Sequence, residues 1–179
     1  MDRTEAQELH TAPSDALSQV YREHAPFVWR SLRRLGVPPD ALEDALQDVF
    51  VVAARRLEAF EGRSSMKTWL FGIAMRVQRS RRRSQARHDR KLGALTHETG
   101  APPADAYARQ DAQRVLTQML QHLSEDKRAV FVLVELEGEA VVDVARALGA
   151  NSNTIYTRLR AARKALQTMA RQWAETERV

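Results

Sequence analysis

Two carboxylates lie close together in the segment from Leu42 to Phe50. Asp44, Gln47 and Asp48 are spaced i, i+3, i+4, so they share one outer face if this segment is helical. Paired carboxylates can bind a metal ion or serve acid–base catalysis. No histidine accompanies them, and the helix dipole favours acidic residues in the first turn of any helix. We therefore interpret this face as an acidic surface for a protein partner.

The other residue types that carry catalysis are absent or scattered. The five histidines show no metal-ligand spacing, and the chain has no cysteine. It also contains no phosphate-binding loop, nucleophile elbow or dinucleotide-binding fingerprint. We therefore expect neither an enzyme nor a bound metal or other cofactor. The lack of cysteine excludes a disulfide framework and is compatible with a reducing cytoplasm.

A strongly basic run follows a polar loop in the first half of the chain. Residues 61–91 contain ten Lys and Arg against two Asp and Glu, whereas the whole chain has a net charge of only +5. A basic helix can track phosphates, and the hydroxyls and amides of a Gly- and Ser-bearing loop can hold an unstacked base beside an aromatic ring such as Trp69. The alternatives are a solvated helix end for the arginines and a core position for Trp69.

A second basic stretch, residues 151–179, follows a turn that contains glycine. A short helix is predicted to end at Gly149, and a longer one to begin after a cap at Asn151 or Ser152. This is the pattern of a helix-turn-helix. The predicted core positions of the longer helix are Ile155, Leu159 and Leu166. The predicted groove-facing positions are Asn153, Tyr156, Thr157, Arg160 and Lys164, flanked by Arg158 and Arg163 within reach of phosphates. The alternative is an ordinary amphipathic helix in a bundle.

Helices must position both basic surfaces, because apolar residues recur with a period of about 3.6 and no stretch alternates long enough to form a sheet. The predicted fold is all-α, with two small helical domains joined by a flexible linker. We predict an N-terminal tail at 1–16, a first domain at 17–83, a linker at 84–106 and a second domain at 107–179. Within the first domain, Pro26 is expected to kink a helix or begin a new one, and Asp40 to cap the helix that follows.

No segment of the chain is typical of a membrane protein. The longest apolar runs fall far short of the roughly 20 residues that a membrane helix needs, and the first 16 residues lack the apolar core of a signal peptide. We expect no membrane insertion and a cytoplasmic location.

These features, in this order, resemble the extracytoplasmic-function sigma factors, the small two-domain sigma subunits of bacterial RNA polymerase. The stretch from Leu42 to Phe50 is similar to the family's helix that docks on the clamp helices of the largest polymerase subunit. The loop and helix from Phe60 to Leu70 resemble the segment that captures a flipped base of the minus-ten promoter element. The helix-turn-helix resembles the module that reads the minus-thirty-five element.

The resemblance implies a set of contact residues for each partner. Core polymerase would be contacted by Asp44, Gln47, Asp48 and Phe50. The minus-ten element would be contacted by Arg63, Ser64, Ser65, Lys67, Thr68, Trp69, Arg76, Arg79, Arg82 and Arg83. The minus-thirty-five element would be contacted by Asn153, Thr154, Tyr156, Thr157, Arg158, Arg160, Arg163 and Lys164.

The resemblance also implies a function. The protein would be an alternative sigma factor that binds core RNA polymerase, directs it to specific promoter DNA and assists initiation, while catalysis belongs to the polymerase. An anti-sigma protein would regulate it, and it would associate with the nucleoid when in holoenzyme. Two alternatives stay open: a stand-alone helix-turn-helix regulator, and an adaptor that binds polymerase or an anti-sigma protein without reading DNA.

Six positions depart from the family pattern. Asn153 stands where the family commonly carries Gly, and Met66 where an aromatic residue is usual. Gly72 and Met75 stand where the family often carries Arg, Tyr156 where Lys or Arg is usual, and Ala161 where a basic residue can occur. These departures remove possible phosphate contacts and leave the predicted fold unchanged.

Overall fold

The computed structural model describes residues 13–92 and 108–176, and within these ranges the chain forms α-helices and no strand. The helices are α1 (Pro13–Arg34), α2 (Leu42–Ala54), α3 (Met66–Leu92), α4 (Ala108–Gln121), α5 (Glu125–Phe131), α6 (Val141–Leu148) and α7 (Ser152–Thr176). The predicted all-α, two-domain fold is confirmed. None of the helices in these two ranges is both long enough and apolar enough to span a membrane.

The first domain is a bundle in which α1, α2 and α3 pack against one another. Each helix contributes an apolar stripe, and Leu32, Val49 and Phe71 from the three helices are fully buried. Burial of such side chains supplies most of the stability of a small helical bundle. The bundle presents the outer face of α2 and the length of α3 to its surroundings.

One local prediction for the first domain is wrong, and one of the two alternatives for Pro26, that it begins a new helix, is excluded. Pro26 lies inside α1, which is one uninterrupted helix. Phe27 and Val28, directly after the proline, are buried in the same core as the first half of α1, and this packing holds the helix together. The predicted cap at Asp40 is wrong, because a short 3-10 turn (Pro39–Ala41) comes first and Ala41 occupies the N-cap position of α2.

The second domain contains the helix-turn-helix, as predicted. Gly149 ends α6 in the left-handed conformation, with φ of +63°. The side-chain oxygen of Asn151 then accepts a hydrogen bond from the backbone N–H of Thr154 at 2.8 Å and caps α7. Helices α4, α5 and α6 all pack on α7. The predicted core positions Ile155, Leu159 and Leu166 are buried.

Helix α3 extends beyond the predicted end of the first domain at residue 83. It continues to Leu92, so its last nine residues lie in the segment predicted as linker, which began at residue 84. The rest of that linker up to residue 106, like most of the predicted N-terminal tail, lies outside the described residues.

A buried arginine joins the two domains. Arg128 of α5 is only 5% exposed. Its guanidinium donates hydrogen bonds to the backbone oxygens of Leu120, Gln121 and Leu123 at 2.7 to 3.0 Å, and to the backbone oxygen of Leu35, beyond the end of α1, at 2.7 Å. Burial lowers the pKa of Arg128 below its ordinary value, yet an arginine keeps its charge in proteins. It therefore satisfies the carbonyls at the C-terminal end of α4 and ties them to the first domain.

Gly36 makes this close approach possible. Its φ of +91° lies in the left-handed region. A methyl group built on it would overlap the side-chain oxygen of Gln121 and lie 3.1 Å from the guanidinium of Arg128. Both the backbone conformation and the contact with the second domain therefore favour glycine.

Candidate nucleic-acid interface

The acidic face of α2 has the predicted geometry. Asp44, Gln47 and Asp48 are all exposed on its outer side. Arg81 of α3 lies beside this face and donates a hydrogen bond to Asp48 at 2.5 Å, with Asp44 at 3.9 Å. In the described part of the chain, no group of three or more acidic or histidine side chains is placed to hold a metal ion.

Phe50 does not share this face. It is 6% exposed, lies in the hydrophobic core, and packs edge-on against Tyr21 with ring centroids 4.7 Å apart. A side chain buried in this way supports α2 from beneath and cannot reach a macromolecular partner. We therefore withdraw Phe50 from the set of predicted contacts.

The polar loop before α3 forms an ordered helix start. The hydroxyl of Ser65 accepts a hydrogen bond from the backbone N–H of Thr68 at 3.1 Å, which caps α3. Trp69 is half-buried and packs against Phe60 with ring centroids 5.1 Å apart. Trp69 packs against the hydrophobic core and also lines a cleft. Its surroundings are therefore compatible both with the predicted core position and with a ring beside a bound base.

The cleft beside Trp69 is basic and aromatic. Its volume is about 400 Å³, and it lies between the loop before α3 and helix α6. Its side chains include Arg56, Phe60, Arg63, Trp69, Arg76 and Arg146. Cationic side chains beside aromatic rings suit an unstacked nucleotide, which offers a phosphate and a π face.

The predicted minus-ten residues of the loop differ in accessibility. Arg63 and Lys67 are exposed, and Arg63 pairs with Glu61 at 2.8 Å. Ser64 and Ser65 are half-buried, and Thr68 is fully buried. The hydroxyls of this loop are thus covered while its cations are open.

Four predicted arginines lie along α3, and three of them, Arg79, Arg82 and Arg83, border a shallow groove, whereas Arg76 lines the cleft beside Trp69. Arg76, Arg82 and Arg83 are exposed, and Arg79 is half-buried. The predicted pattern of cations along one helix is present in the structure, although two of the four are engaged by carboxylates of the second domain.

Glu125 and Asp126 of α5 are those carboxylates. Arg79 donates to Glu125 and to Asp126, each at 2.9 Å, and Arg82 donates to Glu125 at 2.6 Å. The hydrogen bond with Glu125 raises the pKa of Arg79 above its ordinary value, so the guanidinium stays charged. The middle of the α3 surface therefore faces protein acids.

Helix α7 presents an exposed polar face. Asn153, Tyr156, Thr157, Arg160 and Lys164 all lie on it, and Tyr156 is 59% exposed. Thr157 uses its hydroxyl to donate to the backbone oxygen of Asn153 at 2.9 Å. The side chains predicted to face a groove are therefore accessible to one.

The flanking residues of α7 are engaged within the protein. Thr154 is half-buried at the helix start. Arg158 pairs with Asp126 at 2.6 Å, and Arg163 pairs with Glu135 at 2.5 Å. Asp126 thus contacts one predicted DNA-binding arginine from each domain.

Sequence reasoning missed the second-domain residues that cover the loop before α3. Glu139 accepts hydrogen bonds from the hydroxyls of Ser65 at 2.5 Å and Thr68 at 2.7 Å. Arg146 donates to the backbone oxygen of Arg63 at 2.6 Å. The sequence did carry a signal, because residues 92–150 contain nine Asp and Glu against five Lys and Arg. No binding partner for these acidic residues is predicted from the sequence.

Comparisons with known proteins agree with this architecture. The model of Sigma-70 region 2 matches residues 20–88, and that of Sigma-70 region 4 matches residues 113–166. The chain is 27% identical over 161 residues to the RNA polymerase sigma factor NccH of Alcaligenes xylosoxydans xylosoxydans, covering 86% of each chain. It is 29% identical over 152 residues to the ECF RNA polymerase sigma factor SigM of Mycobacterium tuberculosis, covering 84% of this chain and 75% of SigM.

Solved structures show the same fold. The sigma factor RpoE, crystallised with the anti-sigma factor NepR from Bartonella quintana, aligns with a TM-score of 0.72 and 26% identity over 87% of this chain and 97% of that one. CnrH in complex with the cytosolic domain of CnrY aligns with a TM-score of 0.67 and 22% identity, over 89% of this chain and 90% of that one. Two sigma-region matches in order, on one helical chain with these relatives, establish that the protein belongs to the extracytoplasmic-function sigma factors of RNA polymerase.

Proposed function

We propose that the protein binds core RNA polymerase, directs it to a specific set of promoters and assists transcription initiation. The observation that carries this proposal is the presence of two separate nucleic-acid-type surfaces, on α3 and α7, in two domains of one chain. A linker between two weak binding modules raises their effective concentration at a pair of promoter elements. Polymerase would fix the spacing at which the two surfaces meet DNA.

The minus-ten contacts are assigned to the loop before α3 and to α3 itself. Ser64, Ser65 and Thr68 offer hydroxyls for a base edge, and Trp69 offers a ring for stacking. The cations assigned to phosphates are Arg63, Lys67, Arg76, Arg79, Arg82 and Arg83. The basic cleft beside Trp69 supports this assignment because it combines both kinds of group.

The minus-thirty-five contacts are assigned to α7. Arg160 and Asn153 belong to the residue types that make paired hydrogen bonds to purine edges in the major groove. The exposed positions between them, Tyr156 and Thr157, complete the base-facing set. The remaining assigned residues, which position the helix on the backbone, are Thr154, Arg158, Arg163 and Lys164.

The contact with core polymerase is assigned to the acidic face of α2, formed by Asp44, Gln47 and Asp48. These side chains are exposed and lie on one face of a rigid helix. An acidic patch favours a basic partner surface and speeds their encounter. Phe50 contributes by holding α2 in place.

An anti-sigma protein is the proposed regulator. RpoE from Bartonella quintana, which resembles this chain over most of its length, is described in complex with the anti-sigma factor NepR. We place the protein in the cytoplasm, associated with the nucleoid when it is part of holoenzyme.

Run-off transcription on a library of genomic fragments tests the proposal. Purified core polymerase is compared with and without the protein, and discrete promoter-specific transcripts are expected only with it. If the protein alone instead protects a palindromic duplex, the stand-alone regulator is correct. If it binds core polymerase and yields no specific transcript, the adaptor is correct.

A further inference from the structure

We propose that in the free protein three carboxylates of the second domain, those of Glu125, Asp126 and Glu139, occupy the groups of the first domain that contact DNA, so that domain closure and promoter DNA exclude each other. The inference rests on the proposed function of the α3 surface. It assigns a regulatory role to acidic residues that the promoter-binding model leaves unused.

Glu139 covers the loop that would hold a base. A single carboxylate oxygen accepts both the Ser65 and the Thr68 hydroxyl hydrogen bonds. These hydroxyls lie at the N-terminal end of α3, where the helix dipole favours a negative charge. A base edge or phosphate that used the same donors would have to displace Glu139. Arg146 adds a second contact to this loop through the backbone oxygen of Arg63.

Glu125 and Asp126 cover the middle of the α3 surface in the same way. They pair with Arg79 and Arg82, and Asp126 also pairs with Arg158 of α7. Carboxylates and phosphates are alternative partners for a guanidinium, because both accept its paired hydrogen bonds. The two acids thus occupy cations of both predicted DNA-binding surfaces.

Gly72 allows the domains to approach this closely. A methyl group built on it would lie 3.6 Å from the backbone oxygen of Ala147, at the end of α6, which is ordinary contact distance. Helices α3 and α6 therefore meet at a position with no side chain, where the family often carries Arg. A branched side chain at this position would extend into α6 and hold the domains apart.

The ion pairs that cover the α3 surface can be exchanged, although buried Arg128 also holds the two domains together through the backbone oxygen of Leu35. The side chains of Glu125, Asp126, Arg79 and Arg82 are partly exposed, and ion pairs of this kind are individually weak and screened by salt. A polymerase that binds both domains and presents DNA can therefore replace them. The apparent DNA affinity equals the affinity of the open molecule multiplied by the fraction of molecules that are open, so closure lowers it.

Energy transfer within the full chain measures closure directly. Because the chain has no cysteine, two introduced cysteines can be labelled selectively. Ala54→Cys on α2 and Gln167→Cys on α7 place one dye in each domain at exposed positions outside the contacts described above. In parallel, unlabelled chain is titrated into fluorescein-labelled single-stranded oligodeoxythymidylate, and the dissociation constant is obtained from anisotropy.

The test variant neutralises the three acids as Glu125→Gln, Asp126→Asn and Glu139→Gln. A matched control neutralises three exposed acids of the first domain whose side chains form no hydrogen bond or ion pair with the second domain within the described residues, as Asp40→Asn, Glu43→Gln and Glu58→Gln. Both variants change the net charge equally, so a general gain in attraction for DNA cancels between them. In a second pair, Gly72→Leu is designed to open the contact between α3 and α6 by its size without a change in charge. Gly72→Ala is its matched control, because a methyl group fits at ordinary contact distance.

We expect the three-acid variant to show lower energy transfer than its control and to bind the oligonucleotide about tenfold more tightly. Gly72→Leu should show the same loss of transfer, whereas Gly72→Ala should match the parent chain. Equal transfer and equal affinity in the three-acid variant and its control would overturn the proposal. If circular dichroism shows that the three-acid variant does not fold, unchanged transfer in Gly72→Leu would overturn it instead.

Failure of this inference can be distinguished from failure of the proposed function. Energy transfer in the free chain requires neither polymerase nor a promoter. Unchanged transfer together with promoter-specific transcripts would reject closure and leave the sigma activity standing. Opening without any transcript would reject the proposed function and retain the closed state.

Discussion

The two basic surfaces of this protein differ in what occupies them. On α3, Arg79 and Arg82 are paired with acids of the other domain, and the Thr68 hydroxyl is buried under Glu139. On α7, the groove-facing side chains from Asn153 to Lys164 are exposed, and the flanking Arg158 and Arg163 are paired with acids. Similar composition has thus produced one covered surface and one open surface.

The difference shows that a run of arginines does not define its own partner. A guanidinium on a helix pairs with whichever anion the tertiary fold brings to it, whether a phosphate or a carboxylate. For α3, that anion in the free chain is a carboxylate from α5. For the groove-facing part of α7, the described residues provide none. Three substitutions test this contrast.

Arg128→Met should have the largest effect on stability. It removes the buried guanidinium that links the second domain, which covers α3, to the first. The substitution leaves the backbone oxygens of Leu35, Leu120, Gln121 and Leu123 without the guanidinium that satisfies them. We expect the free energy of unfolding in urea to fall by about 3 kcal/mol. Lys127→Met is the matched control, since Lys127 makes no hydrogen bond or ion pair within the described chain, and it should cost less than about 1 kcal/mol. Equal losses would contradict the role assigned to Arg128.

Arg160→Ala should have a smaller and more selective effect on the open surface. Loss of a paired contact to a base is expected to weaken holoenzyme binding about tenfold at promoters with a minus-thirty-five element. Transcript yields from the promoters found in the fragment library provide the measurement. Arg171→Ala, an exposed change further along α7, should leave those yields nearly unchanged. An equal loss at promoters without the element would count against base readout by Arg160.

Asp48→Lys should have the smallest effect of the three, because it acts at an exposed position. The reversal replaces a carboxylate of the acidic α2 face and also places a cation beside Arg81. We expect the affinity for core polymerase, measured by titrating labelled protein, to fall about fivefold. Glu58→Lys has the same charge change outside that face and serves as the control. Unchanged affinity in Asp48→Lys would remove this residue from the polymerase contact.

The sequence predicted those parts of the molecule that depend on local signals. Gly149 and Asn151 mark the turn of the helix-turn-helix because a left-handed cap and a side-chain cap are properties of single residues and their neighbours. The acidic face of α2 and the core face of α7 followed from helical periodicity. Helical periodicity also predicts Phe50 on the apolar stripe of α2, four residues after buried Leu46, and only the family resemblance assigned it to core polymerase.

The sequence could not predict the contacts that join the two domains. Ser65 and Glu139 are 74 residues apart, and no local pattern in either segment specifies the other. The continuity of α1 through Pro26 likewise depends on tertiary packing, which overrides the helix-breaking tendency of proline. Alternating acidic and basic segments were visible, but charge alone does not tell whether an acid faces a helix of the same chain or a second protein.

The cap at Ser65 has a consequence for how quickly the loop before α3 could bind DNA. The hydrogen bond from Thr68 to Ser65 and the packing of Trp69 on Phe60 lie entirely within the first domain, so they persist when the second domain moves away. The binding loop is therefore preorganised in the closed and the open molecule alike, and no folding step separates opening from DNA capture. Changes at Glu139 should alter how often the loop is accessible, whereas changes at Ser65 should alter the shape of the loop itself.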